Sequence, residues 1–166
     1  MLVFWQKGYE ATSLDDLTKA MSLSRSSFYA AFDSKQALFR RALSHYSRNG
    51  LQNLKNVAVT ADGNPVDAMM QALSNPQGGV KGCMLINCVT ELAPHDEGVA
   101  EIGRRHLEKI EEIFAEVLDP ETPAAVRARA RALSSLAIGT LALRKAGYPA
   151  DRIADTLKQA KVILPD

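Results

Sequence analysis

Three serines, Ser13, Ser24 and Ser34, set the grain of the first part of the chain. They stand ten or eleven residues apart, each directly ahead of a stretch whose apolar residues recur at three and four. A serine hydroxyl there accepts from backbone N–H groups that the first turn of a helix leaves unpaired. The chain is thereby cut into two short helices and a long one. The first runs from about Leu14 to Met21, with Asp15 and Asp16 in its first turn and Ser13 and Asp16 at capping-box spacing. Ser22-Leu23-Ser24 breaks it, a second runs through Phe32, and a third extends from Lys35 to about Val59 with Phe39, Leu43, Tyr46, Gly50, Leu54 and Val57 on one stripe.

Helical punctuation continues to the end. Pro65 follows the turn Ala61-Asp62-Gly63-Asn64, and a helix through Met69, Met70 and Leu73 stops at Asn75-Pro76. Residues 83–92 are nearly all apolar and, among helical neighbours, read as a buried helix closed by Pro94. Val99, Ile102, His106, Ile110, Ile113 and Val117 share a face up to Asp119-Pro120; an alanine-rich helix then spans about Pro123 to Gly147, and a last one Pro149 to Leu164. The class is all-α, with no internal repeat and no low-complexity linker.

Composition narrows the function. A chain of 166 residues, 46% hydrophobic and 23% charged, folds around an ordinary globular core. Its apolar runs, such as Cys83 to Ile86, are too short to cross a bilayer, and Met1-Leu2-Val3-Phe4-Trp5 lacks the basic lead of a signal peptide. Two cysteines, Cys83 and Cys88, make no disulfide scaffold, so the expected home is the reducing cytoplasm, with no membrane partner. No nucleophile–base pair, zinc-ligand spacing or phosphate loop stands out, so neither enzyme activity nor a metal or other cofactor is expected. Residues 1–48 hold seven cations and four anions, while the remainder holds thirteen and fifteen. A basic head on a slightly acidic body fits binding of a polyanion by the head.

Two short helices joined by a three- or four-residue turn, then a long one, form the helix-turn-helix arrangement, whose second helix enters the DNA major groove. Here that helix reads Ser24-Arg25-Ser26-Ser27-Phe28-Tyr29-Ala30-Ala31-Phe32. Arg25 and Ser26 come first, where base edges lie, and arginine is the commonest reader of guanine. Phe28 and Phe32, four apart, anchor the helix, while Tyr29 and Lys35 are placed for phosphates.

These residues resemble the DNA-binding head of TetR-family transcriptional regulators. The likeness runs over about forty residues: Phe4-Trp5-Gln6-Lys7-Gly8-Tyr9-Glu10-Ala11-Thr12-Ser13, Leu14 to Met21, Leu23 to Tyr29, and Phe32 with Ser34-Lys35-Gln36-Ala37-Leu38. A looser likeness covers the body at Gly82-Cys83-Met84-Leu85 and Thr90-Glu91-Leu92-Ala93-Pro94. The resemblance implies a helix-turn-helix domain over 1–46 with a truncated first helix, and an effector-binding and dimerisation domain over 47–166. It implies a repressor released from a palindromic operator by a small molecule, with double-stranded DNA, a second copy of itself and an effector of unspecified identity as partners. It assigns Thr12 and Ser13 to DNA-backbone contacts, Arg25, Ser26 and Ser27 to bases or phosphates, and Tyr29 and Lys35 to phosphates. Two departures stand out: Ser22 occupies a place where the family has glycine, and almost nothing precedes Phe4, where relatives carry a full helix and a basic leader. Either the start is assigned too late or the head is weakened, and the second case leaves an alternative, a truncated dimeric ligand-binding or interaction protein with weak DNA binding.

In the alanine-rich helix, Ala128, Ala132, Ser135, Gly139, Ala142 and Ala146 form a stripe of small residues that lets helix backbones approach closely, flanked by Leu133, Leu136, Thr140 and Leu143. Packing within one chain fits it, and so does a second copy; the resemblance favours an intersubunit four-helix bundle completed by Ile153, Leu157, Ala160 and Leu164. The expected interface is Ala132, Ser135, Gly139, Ala142, Ile153 and Leu157. Candidates for the effector pocket are Met69, Leu73, Cys83, Asn87, His106 and Ile110. His106 reads equally as a core histidine, Met69, Met70 and Met84 as core fillers, and Cys83 as core or as a sensor of oxidants or electrophiles.

Overall fold

The computed structural model describes residues 1–74 and 82–163, with side chains of the last helix described to Gln159. The Asn75-Pro76 stop, Ala160 on the final stripe and Leu164 lie outside the described residues or side chains. Every described element is an α-helix: α1 (Leu2–Lys7), α2 (Leu14–Met21), α3 (Arg25–Phe32), α4 (Lys35–Thr60), α5 (Pro65–Ser74), α6 (Met84–Leu92), α7 (Glu97–Leu118), α8 (Arg127–Lys145) and α9 (Ala150–Ile163). None is long and apolar enough to cross a membrane.

The helix starts are made by the side chains that the sequence nominates. Ser13 and Asp16 close a full capping box: the Asp16 N–H donates to Ser13 Oγ at 3.0 Å and the Ser13 N–H to Asp16 Oδ2 at 2.9 Å. Ser24 Oγ accepts from the Ser27 N–H, and Ser34 Oγ from the Ala37 N–H, each at 3.0 Å. Asn64 caps α5 through the Val66 and Asp67 amides, and Asp96 caps α7 through the Val99 amide. α8 starts four residues later than Pro123. The Asp119 carboxylate accepts from the Glu121 and Thr122 amides, and the Ala125 N–H returns to the Thr122 carbonyl. This turn claims the stretch before the helix can begin.

Two compact units divide the chain: residues 1–48 with 84–103, and residues 49–83 with 104–166. The first is held by aromatic rings. Phe4, 2% exposed, meets Phe39 edge-on at 5.1 Å and Tyr9 at 6.3 Å, and Tyr9 lies 4.8 Å from Phe39. Phe28 is fully buried and packs on Phe32 at 5.5 Å, so the anchor of α3 is the one its four-residue spacing implies. α6 buries Met84, Leu85 and Cys88 in the same unit. It crosses α7 so closely that a Cβ on Gly103 would stand 2.5 Å from a Val89 methyl. Arg40 passes over Gly98, where a Cβ would stand 2.6 Å from its Cζ, and donates through Nη2 to Asp96 Oδ1 at 2.7 Å; Gln36 donates to Asp96 Oδ2 at 3.0 Å. The acid that caps α7 is thus also fastened to two residues of α4.

The second unit packs α5 against α8 and both against α9. Its core joins Leu54 of α4, Met69 and Met70 of α5, Ile110, Ile113 and Phe114 of α7, Ala130, Leu133 and Ala137 of α8, and Leu157 of α9. Arg144, 4% exposed, donates from Nη1 to the Ser74 carbonyl at 2.8 Å and so serves an end group that α5 leaves open. Arg127 and Arg131 of α8, both on the exposed face, converge on Glu111 of α7 at 2.8–3.0 Å. Their hydrogen bonds, that of Arg131 foremost, hold the Glu111 carboxyl below its ordinary pKa.

Candidate nucleic-acid interface

The interface is built from the junction of α2 and α3. α2 ends where Ser22 turns into the left-handed region, φ 54 and ψ 39, sending its N–H back to the Lys19 and Thr18 carbonyls. Glycine adopts that conformation freely; serine pays for its Cβ. Ser22→Gly should therefore stabilise the fold by about 1 kcal/mol, less the chain entropy that glycine adds to the unfolded state. A higher urea midpoint at unchanged slope would show it. A lower midpoint would mean the serine side chain contributes more than the backbone strain costs.

Leu23 follows, and α3 then presents its first turn outward. Arg25, Ser26, Ser27 and Tyr29 are all exposed, while Phe28 behind them is buried. The serine hydroxyls form a cluster on the cap: Ser24 Oγ lies 2.9 Å from Ser26 Oγ and 2.8 Å from Ser27 Oγ. The Arg25 guanidinium pairs with Asp15 of α2 at 2.7 Å. Tyr29 is 52% exposed, its ring edge-on to Phe28. Lys35 lies over the Tyr9 ring at 4.5 Å and donates to the Glu10 carbonyl at 3.4 Å. Ser13 is exposed at the start of α2. Lys7 ties α1 to α2 through Asp16 at 2.7 Å, and this hydrogen bond leads in lowering the Asp16 pKa to about 2.

Thr12 departs from its expected place. It is fully buried, its hydroxyl donates to the Gly8 carbonyl at 2.6 Å and its N–H to the Tyr9 carbonyl. It therefore braces the turn between α1 and α2 and offers no side chain to a phosphate.

The other expected site residues lie elsewhere. Met69 and Ile110 are packed in the core of the second unit, at 0% and 2% exposure, with Leu73 against it. His106 is buried too, and desolvation drives its imidazole pKa down to about 4. Cys83 and Asn87 are half-buried. Two clefts are described in this unit, one of about 220 Å³ lined by Asp67, Met70, Gln71, Ala154, Leu157 and Lys158, the other of about 250 Å³ around Glu112, Ala115 and Arg127. Neither is lined by the residues expected for an effector.

On α8 the small-residue stripe faces outward: Ala128, Ser135, Gly139, Ala142 and Ala146 are exposed and Ala132 half-buried, while Leu133, Ala137, Thr140 and Leu141 form the inner face. Ile153 and Leu157, expected at an interface between copies, instead fill the interior of their own chain at 0% and 6% exposure. Two features had no signal in the sequence, the Asp15–Arg25 pair and the fastening of Arg40 and Gln36 to Asp96. Each joins residues that only the folded backbone brings together.

A capped short helix, a three-residue turn and a second capped helix with exposed polar residues at its start, all on an aromatic core, define a helix-turn-helix head. Residues 1–42 match the model described as bacterial regulatory proteins, tetR family. Among curated proteins, the chain is 32% identical over 123 residues to the uncharacterised HTH-type transcriptional regulator YezE of Bacillus subtilis strain 168, covering 68% of this chain and 60% of that one. It is 24% identical over 166 residues to the HTH-type transcriptional repressor BdcR of Escherichia coli K12, covering 96% and 82%. Among solved structures, a cysteine mutant of the TetR-family regulator CifR bound to a 26-base-pair operator duplex superposes with a TM-score of 0.80 at 24% identity, covering 98% of this chain and 91% of that one. The match thus spans about 60% of the first of these relatives. The likeness to the tetR family of bacterial regulatory proteins thus rests on the head, residues 1–42.

Proposed function

We propose that the chain is a dimeric DNA-binding transcriptional repressor, working in the cytoplasm on a palindromic operator and released from it by a small-molecule effector. The observation that carries the reading is the first turn of α3, where Arg25, Ser26 and Ser27 stand exposed with Tyr29 one turn on, anchored from behind by Phe28. Supporting it are relatives whose names describe repressors, BdcR of Escherichia coli and the biofilm operon regulator IcaR of Staphylococcus aureus, and the operator-bound structure of CifR. DNA recognition falls to residues 1–46 and effector response with dimerisation to residues 47–166.

In this scheme Arg25 reads a base, while Ser13, Tyr29 and Lys35 hold phosphates once Lys35 swings from the Tyr9 ring. A single head reads few base pairs, so two must act together through the outward stripe of α8. An effector acts by favouring the conformation that binds the operator less well. Mobility shifts on the duplex flanking the protein's own reading frame, at low and moderate salt, test the assignment. Arg25→Ala should lose roughly 1–3 kcal/mol on the specific site and relax preference at one position, whereas Lys35→Ala should weaken all sequences alike. A uniform loss in both variants would take base readout away from Arg25, and no shift of the unaltered chain at either salt would remove the repressor reading.

A further inference from the structure

The guanidinium of Arg25 is oriented before any DNA arrives. Its Nε and Nη2 both donate to Asp15 Oδ1, at 3.2 and 2.7 Å, and Asp15 sits in the first turn of the neighbouring helix α2. Both side chains remain largely exposed, 67% for Arg25 and 72% for Asp15. Asp15 also favours the start of α2 as a first-turn acid, but a pair in that much water itself adds little to folding. Nor does it add affinity, because a carboxylate beside the start of α3 opposes the approach of a polyanion. What the contact supplies is geometry. A guanidinium has two donor edges, Nε with Nη2 and Nη1 with Nη2. Asp15 occupies the first and fixes the plane of the group, which leaves the second edge for a base. Guanine presents two acceptors, O6 and N7, to such a paired donor.

We infer that Asp15 is a positioning residue for base readout, a carboxylate on α2 that holds Arg25 of α3 with its Nη1–Nη2 edge set for guanine. The inference rests on the DNA-binding reading above. It makes specificity a property of two helices together: α3 supplies the reading group, and α2 trades general affinity for discrimination by placing a negative charge where the DNA comes.

The test uses the whole chain and four variants, Asp15→Ala, Asp15→Asn, Arg25→Ala and the double variant Asp15→Ala/Arg25→Ala. Selection from random duplexes with the unaltered chain yields a site, and the position at which Arg25→Ala loses its preference marks the contacted base. Affinities are then measured for that site, for the site with this base replaced, and for an unrelated duplex. In both Asp15 variants the preference for the contacted base should fall about two- to fivefold, while affinity for the unrelated duplex rises because a negative charge has gone. A structural lesion would instead lower all three affinities together. In the Arg25→Ala background, Asp15→Ala should change the preference no further. Unchanged preference with a uniform gain would reduce Asp15 to simple repulsion and overturn the inference, and a sharpened preference would show the pair occluding Arg25 and overturn it as well. Both of those results leave DNA binding standing; failure of the unaltered chain to select any sequence removes that reading and this inference with it.

Discussion

Replacing Gly139 with leucine is expected to split the proposed dimer while leaving each chain folded. Gly139 lies in the middle of the outward stripe of α8, and a Cβ built there meets nothing within 4 Å of its own chain. Within the monomer the change is benign, and leucine is a better helix former than glycine. Between two helices related by a two-fold axis, however, the added side chain enters the contact twice. Overpacking costs about 1–3 kcal/mol at each site, so dissociation should increase by a factor between about thirty and twenty thousand. Sedimentation equilibrium reads the shift, circular dichroism confirms the unchanged helices, and operator affinity falls because a lone head contacts one half-site. Gly139→Ala should remain close to the parent. A leucine variant that stays dimeric at the parent's concentration would move the interface away from α8.

The second large effect belongs to His106. Burial holds its imidazole neutral, with a pKa of about 4 against the ordinary histidine value of 6.5. A depressed folded-state pKa means that below about pH 6.5 the unfolded chain binds a proton that the folded chain refuses. The stabilising contribution is thus complete above pH 6.5 and is lost as pH falls towards 4, with a total of about 3 kcal/mol across that window. Denaturant unfolding at pH 7.5, 6, 5 and 4.5 should show the decline, and His106→Gln should flatten it, whatever its own stability at pH 7.5. The Asp16 carboxyl, lowered to about 2, contributes its own loss only at more acid pH. Parallel slopes in parent and variant would mean that His106 does take up a proton in the fold.

Local chemistry made much of this protein readable from its residues, and non-local packing set the limit. The caps at Ser13, Ser24 and Ser34 act over three residues, so the helix starts they nominate are the observed ones. Periodicity identified the buried face of α7, with Val99, Ile110 and Ile113 at 0–4% exposure. It could not say which neighbour covers a stripe: Ile153 and Leu157 are apolar at helical spacing, and their own chain takes them. Adjacent hydroxyls at Thr12 and Ser13 look alike in sequence, yet the turn after α1 draws Thr12 inward to Gly8 and leaves Ser13 as the cap. Pro123 suits a first helical position, but the Asp119 turn claims the preceding residues and delays α8 to Arg127. The pair between Arg25 and Asp15, ten residues apart across a turn, follows from how α2 and α3 pack, and spacing alone contains no sign of it.

Whether two such heads read DNA as a symmetric pair is decided by selecting from random duplexes with the whole chain at about 50 and 200 mM salt and then measuring the stoichiometry on the winners. The expected result is a two-fold symmetric sequence with half-sites about one helical turn apart, two chains on each duplex, and affinity that falls steeply as salt rises. An enriched sequence without symmetry bound by one chain, or no enrichment at either salt, would contradict it.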